Sequence, residues 1–472
     1  MKKSFRTLLT VLLVMLITAG TLFAQGSKED AKAAIPTITW YAVGNGMPDN
    51  YDSWKADVDA YLEEKLGCHL DYICVPWGDW DNRRNVVVTT NEPWDIMFGN
   101  DGTFFKDVTL GAYAPLNEML KQTPGLTDLI PEGYWNATTV GGNIYAVPTY
   151  KDSSMTYYWV WTKDIVEKYG IPYEDLHRLA DIRPWAEKVH KGEGTPVYYL
   201  AQDAPEYMGY DSFGTGCAPI GVAYNDETRT VVRAMEQPDF MAYLNELRTW
   251  YLEGLINSDA GTLQQVPSYS HLGAAWGWPA AAKGWGDGRG CEVVVSQWND
   301  TILSAQTVLG SINSVNASSP NQLLALKVLE RANTDTKFRD MLKYGEEGYN
   351  FTYNADGTVK PNPDKAWTFA NYTQATFFVA SIAEGEDPLQ NQQIQALNDG
   401  AYPSVMLGFS FDQTAVENEL INCKNIYKKY KQLLCTGSVD PNTAVPQMYA
   451  ELDKAGLQKI MDEAQRQIDA AF

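Results

Sequence analysis

The chain has 472 residues, too many for one ordinary domain, and a formal net charge of −22. Losing Lys2, Lys3 and Arg6 with the N-terminal leader takes that charge to about −25, a field that argues against nucleic acid or an anionic membrane surface as a partner. The charge favours solubility and gives no reason to expect a strongly anionic ligand; with only four scattered histidines and no metal-ligand spacing, neither a metal nor a cofactor is expected.

The basic start at Lys2, Lys3 and Arg6 is followed by an apolar run from Leu8 to Ile17, then Ala19, Gly20 and Ala24 before the polar Gln25-Gly26-Ser27. This is the layout of a secretory leader over residues 1–24, with the mature chain starting at or near Gln25. The run is shorter than the roughly 20 apolar residues of a spanning helix. The first cysteine is Cys68, so no lipid attachment is expected at the cleavage site, and a soluble exported protein fits a periplasm.

Beyond the leader, residues 35–42 read as a strand, with Gly44, Asn45, Gly46 and Pro48 as the loop after it. Trp54, Val58, Tyr61, Leu62 and Leu66 recur at helical spacing up to Gly67. Alternation over 69–74 gives a second strand, and 94–98 gives a third that runs into Gly99-Asn100-Asp101-Gly102. Strand and helix in this order make a parallel α/β sheet, in which ligands sit at the carboxyl ends of the strands. Residues 141–148 read as a strand entering Thr149-Tyr150-Lys151-Asp152, and a second α/β region follows with a strand at 156–161 and helices at 163–169 and 240–254. The segment 273–290, rich in Gly, Ala and Trp, reads as an exposed loop leading into a helix start. After a strand at 293–296 come Val308-Leu309-Gly310-Ser311-Ile312-Asn313 and a helix from about Pro320 to Ala332, and the tail 415–472 reads as two or three amphipathic helices. No short-period repeat or long linker marks a domain boundary, as expected where one lobe is inserted into the other.

The six cysteines belong to an oxidising compartment. Cys68 and Cys74 lie roughly 20 Å apart along a strand and Cys423 and Cys435 roughly 18 Å apart along a helix, beyond the roughly 7 Å that a disulfide spans. Long-range pairs with Cys217 or Cys291 stay open beside the plainer reading of buried thiols. Aromatic residues reach 12%, with 15 Trp and 28 Tyr, an excess that suits ligands with both polar and apolar faces, since rings cover the C–H faces of sugars. Asn136-Ala137-Thr138 and Asn371-Tyr372-Thr373 fit the N-glycosylation pattern and are read as chance matches.

Several stretches resemble the family 1 extracellular solute-binding proteins of ABC transporters, the maltodextrin-binding-protein-like family, in its oligosaccharide or unknown-solute lipoprotein subgroup. They are 54–80, ending in Val75-Pro76-Trp77-Gly78-Asp79-Trp80; 94–98 with Gly111-Ala112-Tyr113-Ala114-Pro115-Leu116; 142–148; 312–321; and Leu407-Gly408-Phe409-Ser410-Phe411-Asp412 with the helices after it. Their order covers nearly the whole mature chain. The chain departs from the subgroup in lacking a lipid-attachment cysteine and in its long Trp-rich stretch 276–285. The resemblance implies a two-lobe α/β periplasmic binding protein fold with a hinge and extra C-terminal helices. The expected lobes are 36–150 plus 291–320 and 151–290 plus 321–414, with 415–472 as a C-terminal helical segment. It also implies capture of a small polar ligand, expected to be a carbohydrate, by a monomer that docks on ABC transporter permease subunits.

Tyr41, Asn45, Asn100 and Asp101 follow strands and are the first-lobe candidates for hydrogen bonds to hydroxyls, although Asn, Asp and Gly also simply make turns. Tyr150, Lys151 and Trp159 lie at the crossover, where Lys151 suits either ligand contact or an ion pair between lobes. Trp276 and Trp278 stand where the resemblance implies a stacking tryptophan, and Trp285, Trp367 and Phe409 complete the candidate set. No catalytic residue is expected, because the chain has no Gly-x-Ser-x-Gly, His-Glu-x-x-His or phosphate loop. An exported glycoside hydrolase, with two carboxylates flanking a glycosidic bond, and a ligand-sensing surface protein are the rival readings.

Overall fold

The run of buried residues Ile38, Trp40, Tyr41, Ala42 and Val43 makes β1 (Thr37–Gly44) a strand covered on both faces, and it takes a central place in its sheet. A computed structural model of the chain describes residues 34–90, 92–216, 219–409 and 411–472; the expected leader at 1–24 and Cys217 lie outside them. Helix α1 (Tyr51–Leu66) buries Trp54, Val58 and Leu62, one turn apart, and returns the chain to β2 (His69–Pro76). Helix α2 (Trp80–Thr90) leads to β3 (Ile96–Gly99) and α3 (Asp101–Thr109). β1 pairs in parallel with both β2 and β3, so the carboxyl ends of all three strands point the same way. Buried Arg84 of α2 is ion-paired with Asp107 of α3, and the Tyr113 hydroxyl donates to the same carboxylate at 2.6 Å, which fixes α3 against the sheet.

The strand expected over 141–148 is instead a hairpin, Thr139–Val140 against Asn143–Ile144, followed by the separate β4 (Val147–Pro148). Gly141 and Gly142, at φ 57° and 81°, form the two-residue turn; positive φ at both positions suits glycine and breaks the run.

The second lobe is built on β5 (Tyr157–Thr162), flanked antiparallel by β6 (Leu272–Trp276) and β7 (Val293–Gln297). Helices α4 (Lys163–Tyr169), α5 (Leu179–Glu193) and α6 (Pro238–Leu252) contribute to its core, α5 through Ile182 and Val189 and α6 through Phe240, Leu244 and Leu247. The loop expected at 273–276 is therefore a strand. Gly273, Ala274 and Ala275 pair with Val160, Trp159 and Tyr158, and a Cβ on Gly273 would lie 2.1 Å from the Arg289 guanidinium.

β8 (Ile312–Val315) returns to the first sheet antiparallel to β3 and β4, giving the order β2–β1–β3–β8–β4. Helices α7 (Gln322–Thr334) and α8 (Thr336–Tyr344) then pack in the first core through Leu326, Leu329, Phe338 and Leu342. The expected boundaries, which put 291–320 in the first lobe and 321–414 in the second, thus differ from the packing: β7 belongs to the second sheet, and α7 and α8 to the first core. Helices α9 (Glu417–Leu434), α10 (Pro441–Lys454) and α11 (Leu457–Ala471) bury Leu420, Tyr427, Met448, Leu452, Ile460 and Ile468 in the second core, so the tail is an integral wall of that lobe. The connections between cores run side by side: Met155 bridges Ile302, and Ile302–Leu303 pairs with Tyr402–Pro403.

Cys68, Cys74, Cys291, Cys423 and Cys435 are free thiols. Among the described residues no helix is long and apolar enough to cross a membrane.

Candidate functional site

Because β1, β2 and β3 are parallel, the residues just past them, Asn45, Trp77 and Asn100, emerge on one side of the first lobe. The Trp77 indole N–H donates to Asn45 Oδ1 at 2.9 Å, and its ring stacks on Tyr372 with centroids 6.2 Å apart and planes 16° apart. Tyr372 in turn meets Phe98 of β3 edge-on, also at 6.2 Å. Trp77 is nevertheless 49% exposed. On the second lobe β6 ends at Trp276, in register with Tyr157 of β5, and the two rings lie 5.8 Å apart. Trp276 is 43% exposed, and its Nε1 donates to the Ser154 carbonyl at 3.3 Å, which sets it against the crossover between the lobes. Of the 15 tryptophans these two are the exposed ones, and each lobe carries one.

Asn100 caps α3 in a reciprocal bond with Thr103, and Asp101 begins that helix. Asp101 opens onto a cavity of about 860 Å³ whose opposite wall is made by Phe409, Gln413, Thr414 and the end of α11. Burial raises the Asp101 pKa, with the Lys424 charge pulling the other way.

The site is thus a two-lobed surface with aromatic rings at the strand ends and a large polar and aromatic cavity beside them. A family model described as a bacterial extracellular solute-binding protein matches residues 44–290, more than half the chain. The chain belongs to that family. A second model, described as a domain of unknown function, matches residues 405–472 of this solute-binding protein. A carbohydrate ABC transporter substrate-binding protein from Streptococcus pneumoniae serotype 4 is 25% identical over 476 residues, spanning 96% of this chain and 94% of that one. The crystal structure of an N-glycan transport solute-binding protein from Streptococcus pneumoniae superposes with a TM-score of 0.83 at 23% identity, covering 92% of this chain and 98% of that chain. In complex with Man1GlcNAc or Man5GlcNAc the same protein gives 0.71 and 0.69, again at 23% identity and over 92% of this chain, with 99% and 98% of that one covered.

Most of the remaining sequence candidates of this solute-binding protein are engaged elsewhere. Tyr41 is buried, with its hydroxyl accepting from Arg83 at 3.0 Å. Tyr150 is buried between Tyr134 and Phe378. Lys151 pairs with its neighbour Asp152 at 3.1 Å rather than across the lobes. Trp159 is fully buried, stacked on Trp298 at 4.5 Å, and donates to the His177 carbonyl. Trp367 packs on Trp54 and donates to the Leu342 carbonyl inside the first core. Trp278 is half-buried with an unpartnered indole N–H, and Trp285 is half-buried 6.1 Å from Tyr158. Sequence reasoning missed Trp77, Tyr372 and Tyr157. The strand-end rule that picked Asn45 and Asn100 would have found Trp77, which follows Pro76 at the end of β2.

His271, just before β6, sits with its Nε2 3.0 Å from the Thr195 hydroxyl and its Nδ1 3.3 Å from that of Tyr269. Burial holds its pKa below the usual value. The folded protein therefore keeps this ring neutral while the unfolded chain takes up a proton as pH falls through about 6.5. Stability is expected to fall on acidification across that window, and His271→Gln should flatten the dependence in denaturant titrations at pH 7.5 and 5.5. Equal slopes for the two proteins would refute it.

Proposed function

We propose that this solute-binding protein captures an uncharged oligosaccharide between its lobes, one per chain, and presents it to an ABC transporter. The observation that carries the reading is the exposed tryptophan on each lobe, Trp77 against Tyr372 and Trp276 against Tyr157. Large rings held by neighbours yet open to solvent are poor core residues and good platforms for the C–H faces of sugars. The relatives' carbohydrate ligands support the same class, and the net charge of −22 disfavours an anionic one. Asn45, Asn100 and Asp101 would supply hydrogen bonds to hydroxyls from the first lobe, and Trp276 would stack from the second. The lower TM-scores against the glycan complexes fit lobes that stand apart here and close on ligand by a hinge at the crossovers. On this reading the protein is a receptor rather than a hydrolase, released into the periplasm after cleavage near Gln25 and not lipidated there.

Calorimetry with Man1GlcNAc and Man5GlcNAc is expected to give one site per chain with a dissociation constant of about micromolar or tighter. Small-angle scattering should show a smaller radius of gyration when the protein is saturated, and chromatography should recover the glycan intact. Hydrolysed glycan, or unchanged scattering at calorimetric saturation, would overturn the receptor mechanism.

A further inference from the structure

We infer that residues 405–472, matched only as a domain of unknown function, build a second carbohydrate subsite with α3 of the first lobe. The inference rests on the glycan reading and extends it from one platform to a longer ligand. The cavity of about 860 Å³ has one wall from α3 and the turn at Gly141, and the other from Gly408, Phe409, residues 411–414, Glu417 and the end of α11. That volume is in the range of small-molecule sites, roughly 300–1,000 Å³. It begins at Asp101, immediately past the carboxyl end of β3, and so continues from the face that carries Asn45 and Trp77.

The lining indicates the ligand's chemistry. Phe105 supplies half-buried apolar ring surface on one wall, with Phe409 and Phe411 buried behind the other, while Asp101, Gln413 and Thr414 supply acceptors and donors. The Gln413 amide donates to the Gly214 carbonyl at 3.0 Å, so its side-chain carbonyl is held at a fixed place. An acidic sugar or a phosphate would call for a free guanidinium fork. The one arginine on the wall, Arg466, already donates to Glu463 at 2.6 and 2.9 Å. The carboxylates Asp101, Asp412 and Glu417 add negative charge. A half-buried ring, neutral polar groups and three carboxylates, beside the lysine Lys106 and the engaged Arg466, fit an uncharged sugar unit beyond the one held at the strand ends. The C-terminal segment thereby sets how long a glycan the protein prefers.

Thr109 and Ala470 line the cavity from opposite walls at exposed helix positions, so a large side chain fills it without entering either core. Thr109→Trp and Ala470→Trp are each expected to weaken Man5GlcNAc binding by about tenfold or more, while Man1GlcNAc changes by less than about twofold. Gln413→Ala should act in the same direction without filling the space. Melting temperatures of the unliganded variants check that the fold is intact. Unchanged Man5GlcNAc affinity in both tryptophan variants, or an equal loss for the two glycans, would overturn the subsite while leaving the glycan reading standing. Wild-type protein that binds neither glycan would overturn both.

Discussion

Replacing Trp276 by alanine is expected to weaken glycan binding by roughly 60- to 300-fold and to leave the melting temperature of the unliganded protein nearly unchanged. Stacking beyond area burial contributes about 0.5–1.5 kcal/mol. Covering the exposed part of the ring on closure adds about 2 kcal/mol at about 25 cal/mol per Å². The unliganded state loses little, because Trp276 is already 43% exposed and makes one bond, to the Ser154 carbonyl. Trp77→Ala should behave alike, with a somewhat larger stability cost from losing Tyr372 and Asn45 as neighbours. Trp159 provides the contrast. It is fully buried between Tyr198 and Trp298, so truncation there should cost about 3–5 kcal/mol of stability, with no affinity loss beyond that unfolding. Calorimetry and denaturant titration on the three variants separate the cases. If Trp276→Ala and Trp77→Ala lose stability and keep affinity, the platforms are structural and the ligand binds elsewhere.

The contrast among these tryptophans also marks what the sequence could and could not convey. β1, α1, β2 and β3 were legible because their signals are local: alternation, the one-turn spacing of Trp54, Val58 and Leu62, and glycines at the ends. The membership of each lobe was not, because it depends on partners far along the chain. β7 joins the second sheet through pairs such as Val294 with Trp161, and β8 leaves it for Phe98 and Val147. Nothing within the segment 293–315 distinguishes these destinations. Aromatic identity was equally mute about burial. Tyr41, Trp159 and Trp367 stand beside Trp276 as candidates in the sequence, yet Tyr41 and Trp159 are buried and Trp367 packs into the first core. Trp276 ends a strand, although its Gly-Ala-Ala context reads as a loop until the residues of β5 lie opposite.

The loop that carries Tyr372 is held by one buried cation, and its removal is the second large effect expected. Arg339 of α8 is fully buried, and its guanidinium donates to the Thr376 carbonyl at 2.8 Å, to Gln374 Oε1 at 2.8 Å, to the carbonyls of Asn371 and Ala375 at 3.1 and 3.3 Å, and to Asn371 Oδ1. These acceptors are all neutral, and burial pushes the Arg339 pKa down to about 10, which leaves the group charged at neutral pH. From the sheet side Asn313 donates to the carbonyls of Thr373 and Gln374, so the segment 371–376 is clamped from two directions with Tyr372 between them. Arg339→Met fills much of the space and removes every donor. A buried acceptor left without a partner costs about 1–3 kcal/mol, and several are orphaned together while one buried charge is relieved, so a net loss of about 3–5 kcal/mol is expected. Arg339→Lys keeps the charge but cannot span the same fork of acceptors, and should recover only part of that loss. Because Tyr372 supports Trp77, both variants should also bind glycan more weakly at temperatures where they remain folded, with lysine again between wild type and methionine. The same order in stability and in affinity would tie the clamp to the platform. Full stability in Arg339→Met would mean that water satisfies the loop, and unchanged affinity in a destabilised variant would mean that Tyr372 keeps its place without it.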